Sequence, residues 1–319
     1  MIAHVAPRIA RLLRRAKRRL AEEQVVLKAH LDLALGTELD RPGLLARVDD
    51  DTWFHLNTDA YRRRPVLRKF LPRMPDAALQ QRFIGSSGDP ALREAWRAYR
   101  LWLELAARHG RSIDRNSCVL DFGCGWGRTL RFFFREVPVR QLYGVDVLPE
   151  ALSACRETNP WCRFQQVSAF PPTTLPDNTF DLIYLYSVFS HLSEDAHRRW
   201  LDEFHRILKP GGIVIATTWH RQYIEWCEQA RNGSNEGTHP GSKLAFHNPS
   251  EWLEKYDRGE YCHSPIGGGT TLEPSFYGET CIPEAYVRRE WTPRFEICEY
   301  LHADWRTLWQ DAVVARKPA

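Results

Sequence analysis

Two carboxylates and a run of glycines carry the first chemical signal. Residues 119–128 read Val-Leu-Asp-Phe-Gly-Cys-Gly-Trp-Gly-Arg. Val119 and Leu120 close an apolar, strand-like run, which puts Asp121 at a strand tip. Gly123, Gly125 and Gly127 alternate through a tight turn, with Cys124 between the first two, and residues 127–136 read as a helix. A strand, a glycine turn and a helix N-terminus make a ligand cradle, because residues without Cβ let a ligand approach the backbone. The spacing is G-x-G-x-G after an acid, not the G-x-G-x-x-G of pyrophosphate binders. An acid at this point suits a cationic, amino-acid-like group better than a phosphate. Asp146 ends the run 142–145, 19 positions after Gly127. At a second strand's tip beside the first turn, it can accept both hydroxyls of a ribose. Alone it would read as the N-cap of a helix starting near Pro149. Alongside Asp121 and the glycines, ribose binding is favoured.

The elements that must hold these groups follow from periodicity. Strand-like runs fall at 117–122, 141–147, 163–167, 180–186 and 212–217, with helical stretches near 127–136, 149–158 and 193–208 between them. This alternation predicts an α/β fold, a parallel sheet with helices on both faces. Pro210-Gly211-Gly212 stops the helix that ends at Leu208. Residues 220–282 interrupt the pattern, and two late strands follow at 295–300 and 311–316. Upstream, Asp89 and Pro90 read as the N-cap and first residue of a helix over 90–109, ended by Gly110. Residues 44–85 read as an irregular helical cap. The resulting division is 1–85, a basic amphipathic helix and helical cap, and 86–319, a second unit containing the 220–282 insertion.

The chain has 319 residues, 43% of them hydrophobic, and a net charge of +4. That charge is too small to argue for nucleic acid. No apolar run is long enough to span a bilayer, and the N-terminus lacks the apolar region of a secretory signal. The eight cysteines form no C-x-x-C pair and no zinc spacing, so a reducing cytoplasm is the simplest expectation. Charge is concentrated at the start: eight Lys/Arg lie within residues 1–30 against Glu22 and Glu23. Val5, Ile9, Leu12, Ala16 and Leu20 recur at helical spacing among arginines, with Gly36 as the expected break. The favoured reading is a surface helix packed on the domain or a partner chain. Peripheral docking to an anionic membrane through residues 1–35 is the sharper alternative, and an RNA-binding arm the third.

Further segments complete a family pattern: Tyr143-Gly144-Val145-Asp146, Pro176-Asp177-Asn178-Thr179-Phe180-Asp181-Leu182-Ile183, Ser187-Val188-Phe189-Ser190-His191-Leu192, and Leu208-Lys209-Pro210-Gly211-Gly212. With 119–128 in front, they resemble the class I S-adenosyl-L-methionine-dependent methyltransferases. The resemblance implies a Rossmann-like, doubly wound seven-stranded sheet of order 3-2-1-4-5-7-6, with strand 7 antiparallel. It implies S-adenosylmethionine as cofactor, held by Asp121, Gly123, Cys124, Gly125, Gly127, Asp146, Val147, Ser168, Ala169 and Ser187. Relatives often carry an acid after strand 3 for the adenine amino group. Ser168 stands there instead, so backbone groups of Ser168 and Ala169, with Phe170 or Leu148 against the ring, are expected to read the base.

The methyl acceptor is less legible. An oxygen acceptor needs a base, and His191 follows strand 4 near the expected methyl position. A cap or wall residue is the competing role for His191. Trp219, His220, Tyr277 and Glu279 are candidates to line the acceptor pocket, Glu279 also as an alternative base. Arg128 is expected to pair with Asp121 or Glu136, Asp181 to start its strand, and the charged run within 191–199 to form a solvated helix face. The segment 184–192 lacks clustered carboxylates, so no metal is expected. The leading expectation is a methyltransferase acting on a small-molecule or glycan-type acceptor at oxygen. An RNA methyltransferase and a non-catalytic S-adenosylmethionine-binding protein are the alternatives.

Overall fold

A computed structural model describes residues 5–35, 40–233, 240–269, 271–304 and 308–319. The expected break at Gly36 lies outside them. The first part is helical: α1 (Val5–Ala34), α2 (Arg41–Leu45), α3 (Asp50–Asn57), α4 (Asp59–Arg63), α5 (Ala77–Ile84) and α6 (Asp89–Arg108). There follow β1 (Val119–Phe122), β2 (Leu142–Asp146), α7 (Pro149–Thr158), β3 (Arg163–Gln166), β4 (Phe180–Leu185), α8 (Glu194–Ile207) and β5 (Leu208–Thr218). Residues 220–282 contribute α9 (Arg221–Arg231), α10 (Pro240–Leu244), α11 (Pro249–Asp257), β6 (Cys262–Ser264) and β7 (Glu279–Cys281). The chain closes with α12 (Glu284–Glu290), β8 (Glu296–Leu301) and β9 (Asp311–Arg316).

Seven strands form one sheet of order β3-β2-β1-β4-β5-β9-β8. β9 runs antiparallel to both its neighbours. This is the expected order, with β8 and β9 as the sixth and seventh strands. The central strands are apolar on both faces because both faces are covered. Val119, Leu182, Tyr184, Ile213 and Ile215 face one layer, where Trp53, Leu56, Trp96, Tyr99, Trp102, Phe132 and Phe133 pack. Leu120, Ile183, Leu185, Val214 and Ala216 face the other, under Trp200, Phe204, Tyr286 and Trp291. The period-two alternation of a strand divides the two sets. β1 lies between β2 and β4, so its tip sits where the strand order reverses, the crevice in which doubly wound sheets bind ligands.

Several expectations change. The segment after the glycine turn is a 3₁₀ helix at Leu130–Arg135, not an α-helix over 127–136. Arg131, Phe132, Phe133 and Phe134 are all fully buried. Four consecutive buried positions cannot share one face of an α-helix, and here the chain is enclosed by sheet and cap together. The helix before Pro210 ends at Ile207, and Leu208 already pairs with Phe180 as the start of β5. Gly212 permits this, since a Cβ there would lie 2.9 Å from the Phe180 carbonyl oxygen. α6 begins one residue early, capped by Gly88, and Asp89 pairs with Arg62. Within 191–199, His197 is core rather than surface: it is fully buried and accepts from Trp291 Nε1 at 3.1 Å. Burial lowers its pKa to about 3, so it stays neutral.

Arg131 ties the cap to the sheet. Its buried guanidinium donates to Pro72 O at 2.7 Å and Asn57 Oδ1 at 3.1 Å. Replacing it by Met strands both acceptors inside the protein. Hydrogen bonds to a charged group contribute about 1.5–3 kcal/mol each. Arg131→Met is therefore expected to destabilise the fold by about 3 kcal/mol in urea unfolding. A change below about 0.5 kcal/mol would place the anchoring elsewhere.

Candidate functional site

The glycine turn is docked onto β2 through its own amides. Gly123 N and Cys124 N donate to Val145 O at 2.8 and 3.0 Å. Gly123 (φ +74) and Gly125 (φ +53) hold left-handed conformations that side chains rarely adopt. A Cβ on Gly123 would meet Val188 Cγ2 at 2.4 Å, whereas one on Gly125 would meet nothing within 4 Å. The space over Gly125 is thus an open cradle floored by backbone. Cys124 turns its side chain away, packed with Leu152, Cys155 and Phe164, so only its backbone faces the cradle. Asp146 accepts from Gly125 N on one oxygen and Leu148 N on the other, both at 2.9 Å. The two amides fix the carboxylate at the cradle's rim and leave each oxygen further accepting capacity.

Beyond β3 lies a cleft of about 620 Å³. Val147, Gln166, Val167, Ser168, Ala169 and Phe170 form one side, and Thr271, Glu273, Ser275 and Phe276 of the insertion the other. Of the residues expected near the base, Ser168, Ala169 and Phe170 line this cleft and Leu148 does not. At the tip of β4, Ser187 takes φ +60, an uncommon value for a residue with Cβ. A polar network holds it there: Ser187 N donates to Thr217 Oγ1 at 2.7 Å, and Gln310 Nε2 donates to Ser187 Oγ at 3.0 Å.

The segment through Tyr277 and Glu279 comes back over the sheet's edge. Gly278 N donates to His191 O and Thr280 N to Ser190 O, both at 2.8 Å. This brings four of the expected acceptor-side residues together. The His191 ring stacks on Tyr277 at 4.9 Å, and its Nδ1 lies 2.9 Å from Gly278 O. A carbonyl only accepts, so Nδ1 carries the proton and Nε2 is left with its lone pair. Glu279 Oε2 stands 3.7 Å from the same Nδ1. That oxygen also accepts from Trp219 Nε1 at 3.1 Å and Tyr223 hydroxyl at 2.9 Å. His220 is not in this cluster; it is the N-cap residue of α9, and its Nδ1 has no partner. Arg128 pairs with Glu94 at 3.1 Å rather than Asp121 or Glu136, because α6 packs against the start of the 3₁₀ segment. Asp181 is a structural anchor, accepting from Cys118 N, Arg111 and Lys209.

Burial sets the electrostatics. It pushes Asp121 up to about 7, with the Asp146 charge adding to the effect against the pull of Tyr184 and Arg128. Burial also raises Asp146, opposed by its backbone amides. The Tyr277 phenol is raised by burial and then by the charges of Glu279 and Asp146, so it stays protonated between the two carboxylates. His263 also stands here, without a motif in the sequence to announce it. Its Nδ1 lies 2.8 Å from Thr280 Oγ1, and its buried Nε2 has no partner. Burial and then neighbouring His191 lower it to about 4. Tyr223, Thr217 and Gln310 likewise carry no motif. Only the β6–β7 pairing and the approach of β9 bring these residues in, and neither leaves a local motif.

Residues 119–212 match a family described as a methyltransferase domain. They form a class I S-adenosylmethionine-dependent methyltransferase domain. The chain is 30% identical over 131 residues to an uncharacterised methyltransferase of Schizosaccharomyces pombe, covering 38% of this chain and 45% of that protein. It is 26% identical over 144 residues to the malonyl-[acyl-carrier protein] O-methyltransferase of Hahella chejuensis, covering 44% and 51%. The chain thus spans about half the length of these curated relatives. A solved S-adenosylmethionine-dependent methyltransferase from Mesorhizobium loti aligns over 70% of this chain and 98% of its own, at 15% identity and a TM-score of 0.45. The methyltransferase domain's own geometry fits the cofactor: an open cradle over Gly125, a rim carboxylate at Asp146 and a buried carboxylate at Asp121.

A pH dependence follows from Asp121. A cationic ligand needs the ionised carboxylate, but below about pH 7 the empty site holds it protonated. Binding of S-adenosylmethionine is expected to weaken by up to tenfold for each pH unit below about 7. In the ligand-free protein the sign runs the other way. A raised Asp stabilises the fold at low pH and loses that contribution as pH rises from its ordinary 3.8 to about 7. Calorimetry between about pH 5.5 and pH 7.5 checks the binding slope. Asp121→Asn should flatten it, and a wild-type profile already flat would remove Asp121 from the cation's contact.

Proposed function

We propose that the protein methylates a hydroxyl of a small-molecule or glycan-type acceptor, with S-adenosylmethionine as donor and His191 as general base. One observation carries the reading. The His191 ring is held by Gly278 O through Nδ1 and stacked on Tyr277, so a fixed Nε2 lone pair is offered beside the tip of β4. Bound S-adenosylmethionine supplies a methyl group made electrophilic by its sulfonium. Asp146 would hold the ribose hydroxyls and Asp121 the cationic amino-acid end. Val147, Ser168, Ala169 and Phe170 would enclose the base. Ser187, fixed by Thr217 and Gln310, would floor the methyl end.

The remaining work is positioning, water exclusion and one proton transfer. His191 Nε2 takes the acceptor hydroxyl's proton as the new oxygen–carbon bond forms and the carbon–sulfur bond breaks. Glu279, 3.7 Å from Nδ1, offsets the charge that forms on the ring. Trp219, stacked on Tyr223, and Tyr277, stacked on His191, would each offer the other ring face to the apolar face of a sugar or another ring. Screening hydroxylated metabolite and glycan pools with methyl-labelled cofactor tests the reading. Label in a methyl ether is the expected result. Label found only on nitrogen or carbon would overturn the oxygen assignment.

A further inference from the structure

α1 is attached to the body by one half and one face. Glu22, Val25, Val26 and Ala29 are buried. Although burial works to raise Glu22, hydrogen bonds from Arg64 and His55 hold its carboxyl below the usual range and pin the helix there. From Ile9 to Leu20, about 18 Å of helix, no residue is buried, and Lys17 reaches Asp49 of the cap at 3.8 Å. Ile9, Leu12, Leu13, Leu20, Leu27 and Leu31 are 50–65% exposed. At roughly 100° per residue these six fall within one arc of about 100°, opposite the buried face. From Ile9 to Leu20 no charged residue falls in this arc; Glu23, which pairs with Arg64, and His30 enter it in the anchored half beside Leu27 and Leu31. Lys17 flanks it on one side and Arg15 and Arg19 on the other, all exposed. No acidic residue occurs before Glu22.

We infer that this stripe docks the protein on an anionic lipid bilayer, with α1 lying in the interface. The leucines would enter the acyl boundary while the flanking side chains extend to lipid phosphates. Charge selects this occupant over a second copy. Parallel pairing would set two unbroken basic segments side by side. Antiparallel pairing would need free acids in the second half, but Glu22 and Glu23 are held by Arg64, and Asp32 by Lys28. A nucleic acid would use the arginines and leave the leucine stripe in water. No helix among the described residues is long and apolar enough to cross a membrane, which suits a helix lying on the surface. The inference is independent of the methyl-transfer reading.

Full-length protein is sedimented with vesicles of phosphatidylcholine alone and of phosphatidylcholine mixed with phosphatidylglycerol. Binding to the mixed vesicles at low salt is expected, more than tenfold tighter than to the neutral ones and weakened by added salt. A Leu12→Glu, Leu13→Glu double variant should lose more than tenfold in vesicle binding and keep its circular dichroism, since both side chains are exposed. Three results would overturn the inference. The first is no sedimentation with mixed vesicles. The second is binding that the leucine variant leaves unchanged. The third is a wild-type dimer in analytical ultracentrifugation that the same variant dissociates, which would give the stripe to a second copy.

Discussion

Asp146→Ala is expected to weaken S-adenosylmethionine binding by about a hundredfold or more. Each ribose hydroxyl that donates to a carboxylate makes a charge-assisted hydrogen bond of about 1.5–3 kcal/mol, and Asp146 has two oxygens to offer. Losing both contributes about 3 kcal/mol or more, which is about two decades in affinity. The same carboxylate also fixes the cradle, through Gly125 N and Leu148 N. Without it these amides lose their acceptor and the glycine turn loosens. A modest fall in unfolding temperature should therefore accompany the affinity loss. Asp146→Asn separates the two effects, because its amide oxygen still accepts one backbone bond. A variant that folds and binds within threefold of wild type would take the ribose away from Asp146.

His191→Ala is expected to cut turnover by a factor of about 10² to 10⁴, the usual worth of a positioned general base. The cofactor's affinity should stay within about twofold, since His191 sits on the acceptor side of the β4 tip. A wall or cap residue would leave turnover at saturating acceptor near the wild-type value. Removing the ring also removes the stacking partner of Tyr277, so the Michaelis constant for the acceptor should rise as well. Turnover equal to wild type would leave Glu279 as the remaining candidate base. Loss of turnover together with loss of cofactor binding would instead make His191 a structural residue.

Local signals made the sheet and the cofactor edge legible in the sequence. Asp121, the alternating glycines and Asp146 sit at strand tips that periodicity alone located. The alternation predicts a parallel sheet covered on both faces, and the order β3-β2-β1-β4-β5-β9-β8 is the one the resemblance implies. Failures arose where tertiary surroundings overrode local pattern. The segment after Gly127 has helical composition, but enclosure on all sides winds it as 3₁₀. His197 sits in a charged run, yet α12 and Trp291 cover it. Arg128 found Glu94 because α6 passes over it, a contact nothing in residues 119–136 could announce. The acceptor side was half legible. Trp219, Tyr277, Glu279 and His191 were each suspected singly, but their meeting depends on Gly278 pairing with His191, 87 residues away. His263 and Tyr223 carried no motif.

One titration tests the cofactor site most directly. Full-length protein is titrated with S-adenosylmethionine in a calorimeter near pH 7.5, where Asp121 is mostly ionised. Saturable binding of one equivalent, lost in Asp146→Ala, is the predicted result. Wild-type protein that is folded by circular dichroism yet gives no saturable binding would contradict it.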